Sequence, residues 1–267
     1  MSNVILKTAD EIALMRQSGQ LLASVFAALD KIISEGITTL EIDSFVEDYI
    51  VNSLSARPAS KEQYGYQYVL NSSVNEVVCH GVPSASTTLK AGDIVNIDIT
   101  LEKNGYVADS SKMYRIGKLS LLASQLVTTS YDCMWAGIRT VKPGATLGDV
   151  GYAISRLARQ HGYSVVRDYC GHGIGRDMHE APEVLHYGSK GEGLLLKEGM
   201  VFTIEPMINQ GTHKTKLKKD GWTVITRDRK LSAQWEHTVA VTKEGYEVLT
   251  LREEERQKQY ASCSHSK

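Results

Sequence analysis

Cysteine is scarce in this chain. Cys79, Cys133, Cys170 and Cys263 are its only four among 267 residues, and no two stand in C-x-x-C spacing. That excludes a disulfide-stapled secreted scaffold and predicts free thiols in a reducing cytoplasm. Net charge is also lacking: 30 Lys+Arg against 31 Asp+Glu leave −1 at pH 7. Such a balance gives no general reason to expect nucleic acid or an anionic membrane as the main partner. No run approaches the roughly 18 uninterrupted apolar residues of a membrane span, so no membrane partner is expected. The opening MSNVILKTADEIALMRQSGQ has no basic segment leading into a long apolar core and a small-residue cleavage site, and predicts no secretory signal. With five Pro, 42% hydrophobic and 23% charged residues, collagen-like, low-complexity and disordered chains are excluded too.

What remains is an ordinary globular composition, long enough to bury a large core without staples. From Ala9 to about Leu54 apolar residues recur at helical spacing (Ile12, Met15, Leu22, Val25, Leu29), with a break at Gly36. Asp93 to Leu101 is β-branched and apolar, and Asn104-Gly105 after it is a strong hairpin signal. Helical patterning returns from Leu121 to His161, broken at Pro143-Gly144. The final third reads as strands: Gly199 to Ile208, Trp222 to Arg227, Gln234 to Val241 and Glu247 to Leu251. Glu253 to Lys267 is polar and predicted to fray.

The two halves resemble each other. Leu89-Lys90-Ala91-Gly92-Asp93-Ile94-Val95-Asn96-Ile97-Asp98 aligns with Leu196-Lys197-Glu198-Gly199-Met200-Val201-Phe202-Thr203-Ile204-Glu205 at an offset of 107. Thr39-Leu40 aligns with Thr146-Leu147 at the same offset, and Gly36 with Gly144 at 108. This predicts an internally duplicated α+β domain over residues 1–252, its half-sheets meeting around a pseudo-two-fold.

Both duplicated strands are expected to end on a carboxylate, Asp98 and Glu205, where the apolar pattern should enter the core. The next strand in each half adds another acid, Asp109 and Glu236. One such acid could be an ordinary strand-end charge. Four directed inward cannot stay ionised together without a cation of high charge. Three histidines stand in loops beside these strands: His80 before Gly81-Val82-Pro83, His172 between Gly171 and Gly173, and His179 seven residues on. His161, His186, His213, His237 and His265 carry no comparable signal. A ligand set of one imidazole and four carboxylates suits two divalent ions of the Mn, Fe or Co kind better than a structural zinc. Such a pair is a hydrolase arrangement.

In their order and local contexts these residues resemble the methionine aminopeptidases. The resemblance covers residues 5 to 250 and rests on Ser73-Val74-Asn75-Glu76-Val77-Val78-Cys79-His80-Gly81-Val82-Pro83, Asn96-Ile97-Asp98, Gly171-His172-Gly173-Ile174-Gly175-Arg176 and Phe202-Thr203-Ile204-Glu205-Pro206. It implies the pita-bread fold and a cytoplasmic, monomeric enzyme removing the initiator methionine of nascent proteins when the second residue is small. It also implies two divalent ions (Co, Mn, Fe(II) or Zn). Asp109 and Glu236 would bridge them, Asp98 would complete one site, and His172 with Glu205 the other. Glu205 would be the general base. His179 would hydrogen-bond the scissile carbonyl or amide, and His80 would contact the residue after methionine. Only 26 positions separate His179 from Glu205, so the resemblance is to the type I, short bacterial form.

Tyr66 and Trp222 match the family's methionine pocket, whereas Gln63, Asn71 and Met178 stand where Tyr, Cys and Phe are usual. Gln67 replaces a common Pro, and Ala108-Asp109-Ser110 the usual Gly-Asp-Thr. An aminopeptidase of altered side-chain preference is the alternative these changes raise; an inactive pita-bread binding protein is the alternative of another class, opposed by the presence of all five candidate ligands. Finally, Lys214, Lys216, Lys218 and Lys219 cluster on a predicted hairpin. They read either as a solvated basic turn or as a dock for ribosomal RNA.

Overall fold

The computed structural model describes residues 4–257. Four helices form where the periodicity places them: α1 (Ala9–Leu29), α2 (Thr39–Asp48), α3 (Leu121–Ile138) and α4 (Leu147–Gln160). Three begin with a reciprocal capping box, in which a Thr hydroxyl and an acid three residues on satisfy each other's backbone N–H: Thr8 with Glu11, Thr38 with Glu41, Thr146 with Asp149. By length and composition α1 could cross a membrane. Here Leu22, Val25, Phe26 and Leu29 on it are buried against the first sheet with Val95, Ile97 and Ile99.

Each half lays two helices over its own sheet. In the first, the long strand Ile94–Lys103 pairs antiparallel with Tyr106–Arg115 on one side and with Leu70–Val74 and Arg57–Pro58 on the other. Asn104 and Gly105 turn the hairpin with φ of 56° and 77°, both left-handed, as a two-residue turn that follows strand twist requires. In the second, Val201–Ile204 lies between His237–Val241 and Gly171–Gly173, with Tyr246–Val248 and Glu180–Val184 at the edges. Leu126, Met134, Ile138, Val150 and Ile154 from α3 and α4 pack there with Phe202, Ile204 and Val239.

The duplication extends to individual hydrogen bonds. Gly36 N–H donates to Leu89 O and Gly144 N–H to Leu196 O; Leu89 N–H donates to Ile37 O and Leu196 N–H to Ala145 O. One detail of the sequence alignment shifts. The capping residue equivalent to Thr146 is Thr38 rather than Thr39, so the helix starts keep the same 108 offset as the glycines, one more than the strands.

Three expected strands differ from their sequence outline. Asp98 does not end its strand but sits mid-strand, because the ladder with Tyr106–Arg115 continues to Lys103. Gly199 to Ile208 splits into Val201–Ile204 and Met207–Asn209, and Gln234 to Val241 gives Ser232–Gln234 and His237–Val241. Both breaks fall at the same level, between the pairs Ile204↔His237 and Met207↔Gln234. Pro206, which has no N–H to donate, lies in one of them. The two strands thus leave one sheet for another together, and Glu205 and Glu236 stand in the gaps. The stretch expected to fray from Glu253 begins with a helical turn over 253–257, with Glu255 only 3% exposed. Residues 258–267, Cys263 among them, lie outside the described residues.

Candidate metal centre

Asp98 and Asp109 occupy one face of the first hairpin, since Asp109 is directly opposite Thr100, two residues from Asp98. Glu205 and Glu236 sit within the matched breaks of the second half. Side chains stitch the two pairs together across the pseudo-two-fold. Thr238 Oγ1 donates to Asp109 O (2.7 Å), Ser110 Oγ donates to Glu236 O (2.7 Å), and Asn96 Nδ2 donates to Gln234 O (2.7 Å). The acids therefore meet where the halves join.

His172 reaches this seam from the narrow strand Gly171–Gly173. A side chain at Gly171 would strike the Thr203 carbonyl, and one at Gly173 that of Ala181; only glycine lets this strand enter between its neighbours. Nδ1 of His172 lies 3.0 Å from Gly173 O. A carbonyl can only accept, so the proton is on Nδ1 and Nε2 presents a lone pair. That lone pair faces Asp109 Oδ2 at 3.8 Å and Glu205 Oε1 at 3.6 Å. Ligand atoms of Asp109, His172 and Glu236 all lie within 4.8 Å of one another.

The electrostatics agree with the geometry. Burial raises the carboxyl of Asp98 to about 7 against the relief of a hydrogen bond from the Asn71 amide. Burial, then the charge of Asp98, raises Glu205 to about 8. Asp109 and Glu236 rise well above the carboxylate range, from burial first and from the other acids next. Burial, with His179 nearby, lowers His172 to about 4. The centre thus gathers four acids that resist ionising together and an imidazole that resists protonation. Asp109 Oδ1 is buried without a hydrogen-bond partner. Acceptors crowded this closely are what a divalent cation completes, and an oxygen-rich set with one nitrogen fits a hard or borderline ion.

Every residue singled out as substrate-binding lines one cavity of about 890 Å³ with these acids: Gln63, Tyr66, Asn71, His80, Met178, His179 and Trp222. His80 has φ of +55°, a strained backbone that an active site can hold in place, and its ring meets Tyr169 edge-on at 5.6 Å. The His179 ring is 4.4 Å from that of His172. Tyr66 packs on Trp222 at 4.9 Å and donates its hydroxyl to Leu70 O (2.9 Å), so it presents carbon rather than oxygen to a ligand. Asn71 stands directly opposite Asp98 in the ladder.

Several contributors carried no sequence signal. His186 Nε2 accepts from the Glu205 N–H (3.1 Å). Thr203 Oγ1 and Gln234 Nε2 donate to the two carboxylate oxygens of Glu205 (2.8 and 3.2 Å). Lys7 forms a buried ion pair with Glu180 (2.5 Å), whose other oxygen accepts from Arg176 N–H. That pair ties the segment before α1 to the turn carrying Met178 and His179. Of these, only Thr203 has a counterpart in the duplication, aligning with Asn96.

A duplicated helix-on-sheet fold with a carboxylate and imidazole centre at its seam defines a metal-dependent hydrolase, and the sequence model of Metallopeptidase family M24 matches residues 13–243. A methionine aminopeptidase of Salmonella typhimurium is 47% identical over 252 residues, 94% of this chain and 96% of that protein. The crystal structure of methionine aminopeptidase from Rickettsia prowazekii superposes with a TM-score of 0.91 at 46% identity, over 93% of this chain and 100% of that one. Prolidase from Pyrococcus furiosus shares the fold at a TM-score of 0.74 and 24% identity, over 93% of this chain and 66% of that one. The chain belongs to the methionine aminopeptidases within family M24, and its architecture is their pita-bread fold. Divalent metal use comes with that membership.

Proposed function

We propose that this chain removes N-terminal methionine from proteins with a small second residue, using two divalent cations held by Asp98, Asp109, His172, Glu205 and Glu236. The observation that carries the reading is the convergence of these five groups within the cavity that Tyr66, Trp222 and Met178 line. Bound there, the cations supply charge neutralisation and the Lewis acidity that polarises a carbonyl and lowers the pKa of water. Glu205 takes the proton of the attacking water, its carboxylate oriented by Thr203 Oγ1 and Gln234 Nε2. His179, next to the His172 ring and burdened by burial in its protonated form, donates a hydrogen bond to the scissile group as charge develops on it. His80, rimming the same cavity, contacts the residue after methionine.

The methionine side chain lies against Tyr66, Trp222 and Met178, with Gln63 and Asn71 beside them. Because the Asn71 amide is turned to Asp98, the pocket wall is less polar than its composition suggests. This favours methionine over an altered preference. Metal-free protein reloaded with Mn, Fe(II), Co or Zn should release Met from Met-Ala-Ser at least about tenfold faster than it releases the first residue of Leu-, Pro- or Ala-led tripeptides, a discrimination of methylene-scale contacts. Equal rates would remove the methionine reading and keep the hydrolase.

The free, unpaired Cys79, Cys133 and Cys170 support placing the enzyme in the cytoplasm, and we read it as a monomer there. Lys214, Lys216, Lys218 and Lys219 are all exposed around the strand Thr215–Leu217, which projects against Val224–Thr226. They form the surface that docks ribosomal RNA beside emerging chains. Reversing the four charges should abolish ribosome co-sedimentation at low salt and flatten its salt dependence; unchanged, salt-insensitive binding would remove this role.

A further inference from the structure

Behind the metal centre lies a second cluster of charged groups that the reaction does not use. Arg252 follows the last strand and is only 1% exposed. One end of its guanidinium, Nη1, donates to Ser110 Oγ (3.2 Å) and Ser111 O (3.3 Å). The other end, Nη2, donates to Glu255 Oε1 (3.0 Å) and lies 3.2 Å from His237 Nε2. His237 in turn is 3.2 Å from Glu255 Oε1 and holds Thr250 Oγ1 through Nδ1 (2.9 Å). The guanidinium lies over Trp235 at 5.4 Å and Phe26 at 5.5 Å, between a residue of the second half and the helix α1 of the first.

Four of these partners stand beside the two acids assigned as bridges. Ser110 and Ser111 follow Asp109; Trp235 and His237 bracket Glu236. Ser110 Oγ itself joins the two, accepting from Arg252 and donating to Glu236 O. A buried Arg–Glu pair is a poor way to gain stability, since apolar side chains of similar volume do as well or better. What an apolar residue cannot do is hold two strands from different halves with a rigid fork of donors.

We propose that Arg252, oriented by Glu255, is a positioning residue that fixes the separation of Asp109 and Glu236 from behind and so sets the affinity of the centre for its cations. The inference rests on the metal-site reading above and assigns a function to Arg252, the last residue of the expected domain, and to Glu255 just beyond it. Groups that orient ligands in this way are worth about 10–100-fold in metal affinity.

The test is calorimetric titration of Mn(II) into chelator-treated wild type, Arg252→Lys, Arg252→Met and Ser110→Ala, with melting temperature and the kcat and KM for Met-Ala-Ser measured alongside. Arg252→Lys keeps the charge and loses the fork, and Ser110→Ala breaks the link while leaving the buried ion pair, so one folded variant serves if Arg252→Met does not fold. Both should bind Mn(II) about 10–100-fold more weakly, with kcat lowered, KM little changed and excess Mn(II) restoring much of the rate. Glu253→Gln, on the same turn but exposed and bonded only by the Gln257 amide, should bind as wild type does. Wild-type Mn(II) affinity in Arg252→Lys and Ser110→Ala, whatever their melting temperatures, overturns the inference and leaves the metal site standing. A wild type that binds no Mn(II) overturns both.

Discussion

Glu205→Gln is expected to lower kcat for methionine release by about 10²–10⁴-fold, the contribution of a positioned general base. The substitution is isosteric, and the site can absorb it. Thr203 Oγ1 and Gln234 Nε2 both donate to Glu205, so the amide oxygen keeps one partner and its NH₂ confronts the other donor. The backbone stays pinned by His186. A metal ligand also loses its charge, which weakens cation binding, so kcat is read at saturating metal and the residual rate belongs to the missing base. Removing a carboxylate that burial pushes up to about 8 relieves the metal-free protein, and its melting temperature near pH 8 should not fall. Activity within a few-fold of wild type at saturating metal would move the proton to another group.

The second large effect is on the protein stripped of metal. In the fold, Asp98 titrates near 7 and Glu205 near 8, and Asp109 and Glu236 are pushed well above their ordinary range. The unfolded chain ionises all four near 4. Above that, the native state binds more protons than the unfolded one, so these groups make stability fall as pH rises. Lowered histidines, His172 to about 4 and His186 to about 3, work the other way, but only up to the unfolded value near 6.5. The uncompensated window is therefore pH 6.5 to 8. Across it, chelated protein should lose about 1.4 kcal/mol per pH unit for each carboxylate still protonated, and divalent metal should reverse the trend. Denaturant titrations with and without chelator read this directly. A chelated protein whose stability is flat or rising over that window would mean that the four acids do not share one buried site.

Much of this was legible in the sequence, because it was written twice. The repeat from Leu89 to Asp98 and from Leu196 to Glu205 marked two of the acids by register alone, and the hairpin signal at Asn104-Gly105 carried Asp109 to the opposite strand. Patterns that recur are read against each other; isolated residues are not. His186, Lys7 and Arg252 act through partners far along the chain, 19 residues away for His186 and 173 for Lys7, and nothing periodic announces them. The strand breaks at Glu205 and Glu236 were hidden for another reason. Apolar residues stand on both sides (Ile204 and Met207, Ala233 and Val239), so the pattern runs across gaps whose one mark in the sequence is Pro206. The polar run from Glu253 read as tail because Glu255 looks like a solvent-facing residue until its buried partners, Arg252 and His237, are known.

The division of the centre between the halves also sets when it can exist. More than half of the chain separates Asp98 from Glu236, and Arg252 comes later still. At about 5–20 residues per second, a ribosome delivers the first and last ligands on the order of ten seconds apart. During that interval the first hairpin holds two acids whose partners have not been made. An enzyme that acts on the beginnings of other proteins is in this way inactive until the second half of its own fold has been made.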